Sequence, residues 1–156
     1  MKRPVLDSRK SVVMAVIGAY PGGRSYASAD LGMPLKKFDN QAYENAGSRP
    51  LTDEHIHRLE TVAGTSFLPD YIASMYGGMF VPLSLPETLD NVELYTRSLK
   101  ASAKRGKVDQ IMSAALDDGV IEKREADAII AALVTYMSAR YAEVFATIQL
   151  YSQGAV

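Results

Sequence analysis

The chain contains no cysteine, which excludes disulfides, thiolate metal sites and a cysteine nucleophile. A reducing cytoplasm suits such a composition. It has two histidines, His55 and His57. Residues two apart on a helix do not share a face, so this pair cannot chelate one ion. No unbroken apolar run approaches the roughly 20 residues needed to span a bilayer. No G-x-x-x-x-G-K-[ST] phosphate loop is present, and Tyr20-Pro21-Gly22-Gly23-Arg24-Ser25 is not one. No serine or threonine has an evident His and Asp partner set. These absences set the expectation of a non-enzyme with no catalytic residues, no metal, no cofactor and no membrane partner.

Two look-alike segments fail on inspection. Val12 to Tyr20 follows Lys2, Arg3, Arg9 and Lys10, in the manner of a signal peptide. Its apolar core is short and Pro21-Gly22-Gly23 is a poor cleavage context, so it reads as a core helix. Asp118-Gly119-Val120-Ile121-Glu122-Lys123-Arg124-Glu125 has the outline of the back half of a calcium loop. The positions of the first two ligands hold Ala114 and Leu116, which leaves a helix-hairpin turn.

What is present is helical spacing. With 156 residues, 47% hydrophobic and 22% charged, the chain has the composition of a globular protein of about one domain, or of a small domain with an appendage. Ser8 reads as the N-cap of a first helix carrying Val12, Val13, Val16 and Ile17 inward. Between Gly22 and Asn45 lie two short helices joined at Leu31-Gly32-Met33. Tyr26, Ala27 and Leu31 are expected inward on the first. Leu35, Phe38 and Ala42 are expected inward on the second, which spans about Pro34–Asn45. Two helices joined by a tight Gly turn form the helix-turn-helix motif, whose second helix enters the DNA major groove.

The second helix leaves Lys36, Lys37, Asn40 and Gln41 off its buried face. Lysines reach phosphates, and amide side chains pair bidentately with adenine. Thr52 reads as the N-cap of a fourth helix with Ile56, Leu59, Val62 and Ala63 on its apolar face, stopped by Gly64. A fifth, Phe67 to Tyr76, places Leu68, Ile72 and Met75 on one side. Met79 to Leu83 has a strand-like composition and marks the boundary between residues 1–83 and 84–156.

Beyond that boundary the pattern changes to two long helices. Leu89, Val92, Leu99, Ala103, Val108, Ile111, Met112 and Ala115 continue across Gly106, expected to kink the first. Ile130, Leu133, Met137, Tyr141, Val144 and Ile148 recur at spacings of three and four on the second. One helix pair cannot bury so wide a stripe, so homo-oligomerisation through Leu89, Val92, Leu99, Ile111, Ile130, Leu133, Met137, Tyr141, Val144 and Ile148 is expected. Net charge is −1, yet residues 1–58 hold nine Lys or Arg against six Asp or Glu, and the remainder is acidic. A basic front and an acidic back suit a DNA-binding head on a protein-contacting tail.

Val13-Met14-Ala15-Val16-Ile17-Gly18-Ala19-Tyr20-Pro21-Gly22-Gly23, Leu31-Gly32-Met33 and Ala63-Gly64-Thr65-Ser66-Phe67 resemble the YmfL-like prophage proteins. So does Gly77-Gly78-Met79-Phe80-Val81-Pro82-Leu83. More distantly, the Leu-Gly-Met turn, the Asn in the following helix and Leu51-Thr52-Asp53-Glu54 resemble the CII-type regulators of temperate phages. The likeness is densest over residues 12–83.

The resemblance implies a helix-turn-helix transcriptional regulator of the lysis–lysogeny decision, tetrameric and bound to repeated half-sites on double-stranded DNA. Carried over by position, Lys36, Lys37, Asn40 and Gln41 face the groove, while Arg24, Ser25 and Arg49 contact phosphates. Asp39 and Glu44 depart from a purely basic reader. RNA polymerase would be a further partner, and the place of action the bacterial cytoplasm and nucleoid. The competing expectation is an all-α interaction module whose helix pair is only core.

Overall fold

A computed structural model describes residues 6–83 and 91–152. Among them the chain is all-α, with seven α-helices, one 3-10 helix and no strand. It divides into two compact units, Met1–Phe80 and Val81–Val156.

The head is built round its first helix, α1 (Arg9–Ala19), which packs on α2 (Gly23–Asp30), α4 (Asp53–Ala63) and α5 (Phe67–Met75). Ser8 caps α1, its Oγ accepting from the Ser11 amide at 3.2 Å. The Ser11 hydroxyl donates to Asp7 and holds that carboxyl below its ordinary range. Val12, Val13, Val16 and Ile17 are buried against Phe38 and Ala42 of α3 (Leu35–Ala42), and against Leu51, Ile56, Leu59 and Leu68. Each of these side chains withdraws apolar surface from water, worth about 1.5–3 kcal/mol apiece for the larger ones. Arg9 reaches from α1 to the Leu51 carbonyl at 2.9 Å and to Asp53, tying the start of α4 to the core. Thr52 caps α4 in a reciprocal box with His55, whose Nδ1 accepts from the Thr52 amide.

Several expected orientations are corrected. Tyr26 is 68% exposed. Its ring lies over Gly22, where an added Cβ would stand 2.5 Å from it, so it covers the turn rather than the core. Leu35 sits in the first turn of α3, at the rim of the core, and is exposed. The second helix ends at Ala42 instead of Asn45, because Glu44 adopts a left-handed φ of 56° and a 3-10 turn, Asn45–Gly47, follows. Val62, Ile72 and Met75 are exposed. On α4 the buried arc includes Glu60, and on α5 it is Phe67, Leu68 and Tyr71 that meet the core. Met79 to Leu83 forms no strand. Its Pro82 carbonyl accepts from Ser138 Oγ at 2.6 Å.

Among the described residues of the head, Glu60 is the one buried carboxylate, 4% exposed. Its Oε1 accepts from the Phe67 and Leu68 amides and from the Thr65 hydroxyl. Ser66, at the N-cap position of α5, makes no side-chain cap bond. Glu60 therefore caps α5 from the preceding helix, placing negative charge at the positive end of the dipole.

The second unit is a hairpin of α6 (Asn91–Ala115) and α7 (Lys123–Tyr151). α6 runs without interruption through Gly106. A reciprocal box of Glu122 and Glu125 opens α7. The buried apolar positions are small: Ala101, Val108 and Ala115 at seven-residue spacing on α6, and Ala142 and Ala146 on α7. The larger seam residues Leu99, Ile130, Met137, Tyr141, Val144 and Ile148 are exposed, while Ile111 and Leu133 are half-buried. Val92 lies on α6, and Leu89 lies outside the described residues.

The most apolar 18-residue window of α7 has a mean hydropathy of 1.3, and its helix is long enough to cross a membrane. Averaging passes over Arg140 and Glu143, which interrupt the run and pair with each other at 2.7 Å. Glu143 raises the pKa of Arg140 through that hydrogen bond. The partner helix α6 carries Lys100, Lys104, Arg105 and Lys107, a costly set to place in hydrocarbon.

Candidate nucleic-acid interface

The turn between α2 and α3 is fixed by backbone hydrogen bonds. The Met33 amide donates to the Ser28 carbonyl and the Gly32 amide to Ala29, both at 2.9 Å. This is the paired bonding of a Schellman helix end, which requires the left-handed φ of +65° at Gly32. Met33 then packs on the core. Ala27 and Ser28 are buried and small, which lets α2 and α3 approach closely. The Pro34 carbonyl accepts from the Phe38 amide at 3.0 Å to open α3.

Phe38 and Ala42, both fully buried, anchor α3 along one face. The other face presents Lys36 and Lys37 to solvent, with Asn40 and Gln41 half-buried beside them. After the 3-10 turn the chain returns through Ser48 and Arg49. Lys36, Lys37, Asn40, Gln41, Ser48 and Arg49 together line one open concavity of about 480 Å³. Its lining offers three cations, two amides and a hydroxyl, and no carboxylate. Such a surface can donate to phosphate oxygens and exchange donor and acceptor with base edges. A larger groove of about 690 Å³ between α4 and α5 has the opposite sign, with Asp53 and Glu54 on its lining.

Lys36, Lys37, Asn40, Gln41 and Arg49 are thus brought together. Arg24 and Ser25 lie outside that concavity, exposed in the first turn of α2. Ser48 is a lining residue that sequence reasoning did not single out. Its only signal was its place among turn formers beside Arg49. The two acids on the second helix have separate fates. Glu44 lies beyond the end of α3 and does not line the concavity. Asp39 is turned toward α2, where Arg24 donates to its Oδ2 at 3.3 Å.

A second ion pair, Arg58 to Asp30 at 3.1 Å, links α4 to the end of α2. Burial raises the pKa of the Tyr20 phenol, and the nearby Asp30 carboxylate adds to that rise. Among the described residues no cluster of His, Asp and Glu is arranged to hold a metal ion.

No protein-family model matches the chain. It is similar to the uncharacterized protein YmfL of Escherichia coli (strain K12), 34% identical over 71 residues. That match covers 46% of this chain and 38% of the relative, so the chain spans well under half the relative's length.

Proposed function

We propose that this protein is a sequence-specific DNA-binding regulator whose reading helix is α3. The observation that carries the proposal is the grouping of Lys36, Lys37, Asn40, Gln41 and Arg49 on one concave, carboxylate-free surface. That surface stands on a short helix held by the buried Phe38 and Ala42. α3 enters the major groove, Lys36, Lys37 and Arg49 meet phosphates, and Asn40 and Gln41 meet base edges. Ser25, exposed at the start of α2, adds a backbone contact.

The tail makes the head multivalent. Large apolar side chains lie outside a hairpin that closes on alanines, and a second copy covering them would link the heads. Linked heads on repeated half-sites gain avidity through effective concentration. The likeness to CII-type phage regulators supports a tetramer, a role in lysis–lysogeny control and RNA polymerase as a partner.

Replacing Lys36 or Lys37 by Ala lowers affinity for all DNA and lessens its salt dependence, and Asn40→Ala changes base preference. Unchanged affinity and preference in all three variants refutes the assignment. A competing reading, an interaction module without DNA, draws on the exposed apolar residues Met75, Tyr76 and Met79 of the head. It predicts no DNA shift at physiological salt.

A further inference from the structure

Arg24 occupies a place where helix stability does not favour it. It lies in the first turn of α2, next to the positive end of the helix dipole, with no acid in that turn. Its side chain is 54% exposed and its guanidinium leans onto Asp39 of α3, whose side chain is only 23% exposed. One Asp39 oxygen takes the bond from Arg24, and the other, Oδ1, is buried with no hydrogen-bond partner among the described residues. Moving Arg24 away would leave a half-desolvated carboxylate without its counter-ion, on the very helix that must approach phosphates. A pair this open contributes about 0.2–1 kcal/mol.

Resting on the DNA-binding reading above, we propose that Asp39 restrains Arg24 and thereby limits the head's affinity for DNA. Arg24 stays on α3 in the complex and does not meet a phosphate. Asp39 is a positioning residue that keeps one cation out of the nonspecific electrostatic attraction. Discrimination is left to Asn40 and Gln41. Nonspecific binding rises with each phosphate neutralised, so withholding a cation favours the operator over bulk DNA.

The test is a double-mutant cycle in the full-length protein with Arg24→Gln, Asp39→Asn and both together. Binding to a short random-sequence duplex is titrated across a salt series. Asp39→Asn tightens binding several-fold, of the size of a released surface ion pair (about 1.4- to 5-fold) or more. It also steepens the salt slope by about 0.9, the value for one added phosphate contact. Arg24→Gln alone changes affinity by less than about twofold. In the double variant most of the gain and all of the steepening disappear.

An equal gain from Asp39→Asn with and without Arg24 would mean simple loss of repulsion and overturns the proposal. So would a loss from Arg24→Gln as large as that from Lys36→Ala, which would make Arg24 a direct phosphate contact. Lys36→Ala and Lys37→Ala in the same assay report on the parent reading. If they weaken binding while the cycle shows no coupling, only the Asp39 proposal falls. If neither the parent protein nor any variant binds, both fall. In the free protein, the Arg24 side-chain NMR signal shifts on Asp39→Asn, and an unmoved signal contradicts the pairing without reference to DNA.

Discussion

Glu60 gives the sharpest stability prediction. Replacing it with Ala removes the acceptor of the Phe67 and Leu68 amides and the Thr65 hydroxyl. A hydrogen bond to a charged group contributes about 1.5–3 kcal/mol, and a buried donor left unpaired costs about 1–3 kcal/mol. These terms overlap, and partial solvation of the freed amides reduces them. The expected loss is about 3 kcal/mol, or roughly a hundredfold in the folded population. Glu60→Gln keeps an amide oxygen at the same place and loses only the charge assistance, about 1 kcal/mol.

Amide hydrogen exchange on the full-length protein reads this directly. In Glu60→Ala the Phe67 and Leu68 amides lose protection and α5 exchanges faster than α1. In Glu60→Gln those two amides remain protected. Equal protection in the Ala and Gln variants would refute the capping role, because only Gln retains the acceptor.

Other outcomes follow from single contacts. Gly22→Ala places a Cβ against the Tyr26 ring at a φ of +80°, costing about 1–2 kcal/mol for the left-handed backbone alone, seen as a lower denaturation midpoint. The raised phenol of Tyr20 makes the folded state hold its proton more firmly than the unfolded chain. Stability is therefore full below the ordinary tyrosine value near 10 and falls as pH rises through it toward the folded value. Tyr20→Phe flattens that alkaline limb in a melting series, and an unchanged limb would contradict the assignment. Leu99 and Ile148 are exposed on the hairpin; changing both to Glu yields a monomer by sedimentation while the parent is a multimer. A monomeric parent would refute self-association through this face.

The helices were legible where caps and periodicity agree. Ser8, Thr52 and Gly64 mark ends that the structure reproduces, and Phe38 with Ala42 gave the buried face of α3. Spacing could not say how far a core extends. Leu35 has helical phase with Ala42 yet lies at the exposed rim, and Tyr26 has apolar bulk but finds its surface on Gly22. Glu60 was missed although it sits four residues after Ile56, inside the apolar arc of its own helix. A charge at such a position is the signal of a buried polar role.

In the C-terminal hairpin, period alone does not say which of the apolar residues close the helix pair: Val108 and Ala115 of the expected pattern are buried, while its bulkier residues stay outside. Both the alanine line and the bulky line recur at heptad-like intervals, and close helix packing chose the small residues. At the candidate interface, the grouping of Lys36, Lys37, Asn40 and Gln41 followed from helix geometry. The approach of Ser48 and Arg49 depended on the left-handed Glu44 and the 3-10 turn. Asp39 appeared in the sequence as an unwelcome acid on a reading helix, and only its long-range partner Arg24 gives it a place.

The central claim is that α3 reads DNA sequence. It is tested most directly by selecting bound sequences from a random DNA pool with the full-length protein near physiological salt. The account predicts an enriched site made of repeated half-sites about one helical turn apart or a multiple of it. No enrichment, with binding that merely vanishes as salt rises, would contradict it.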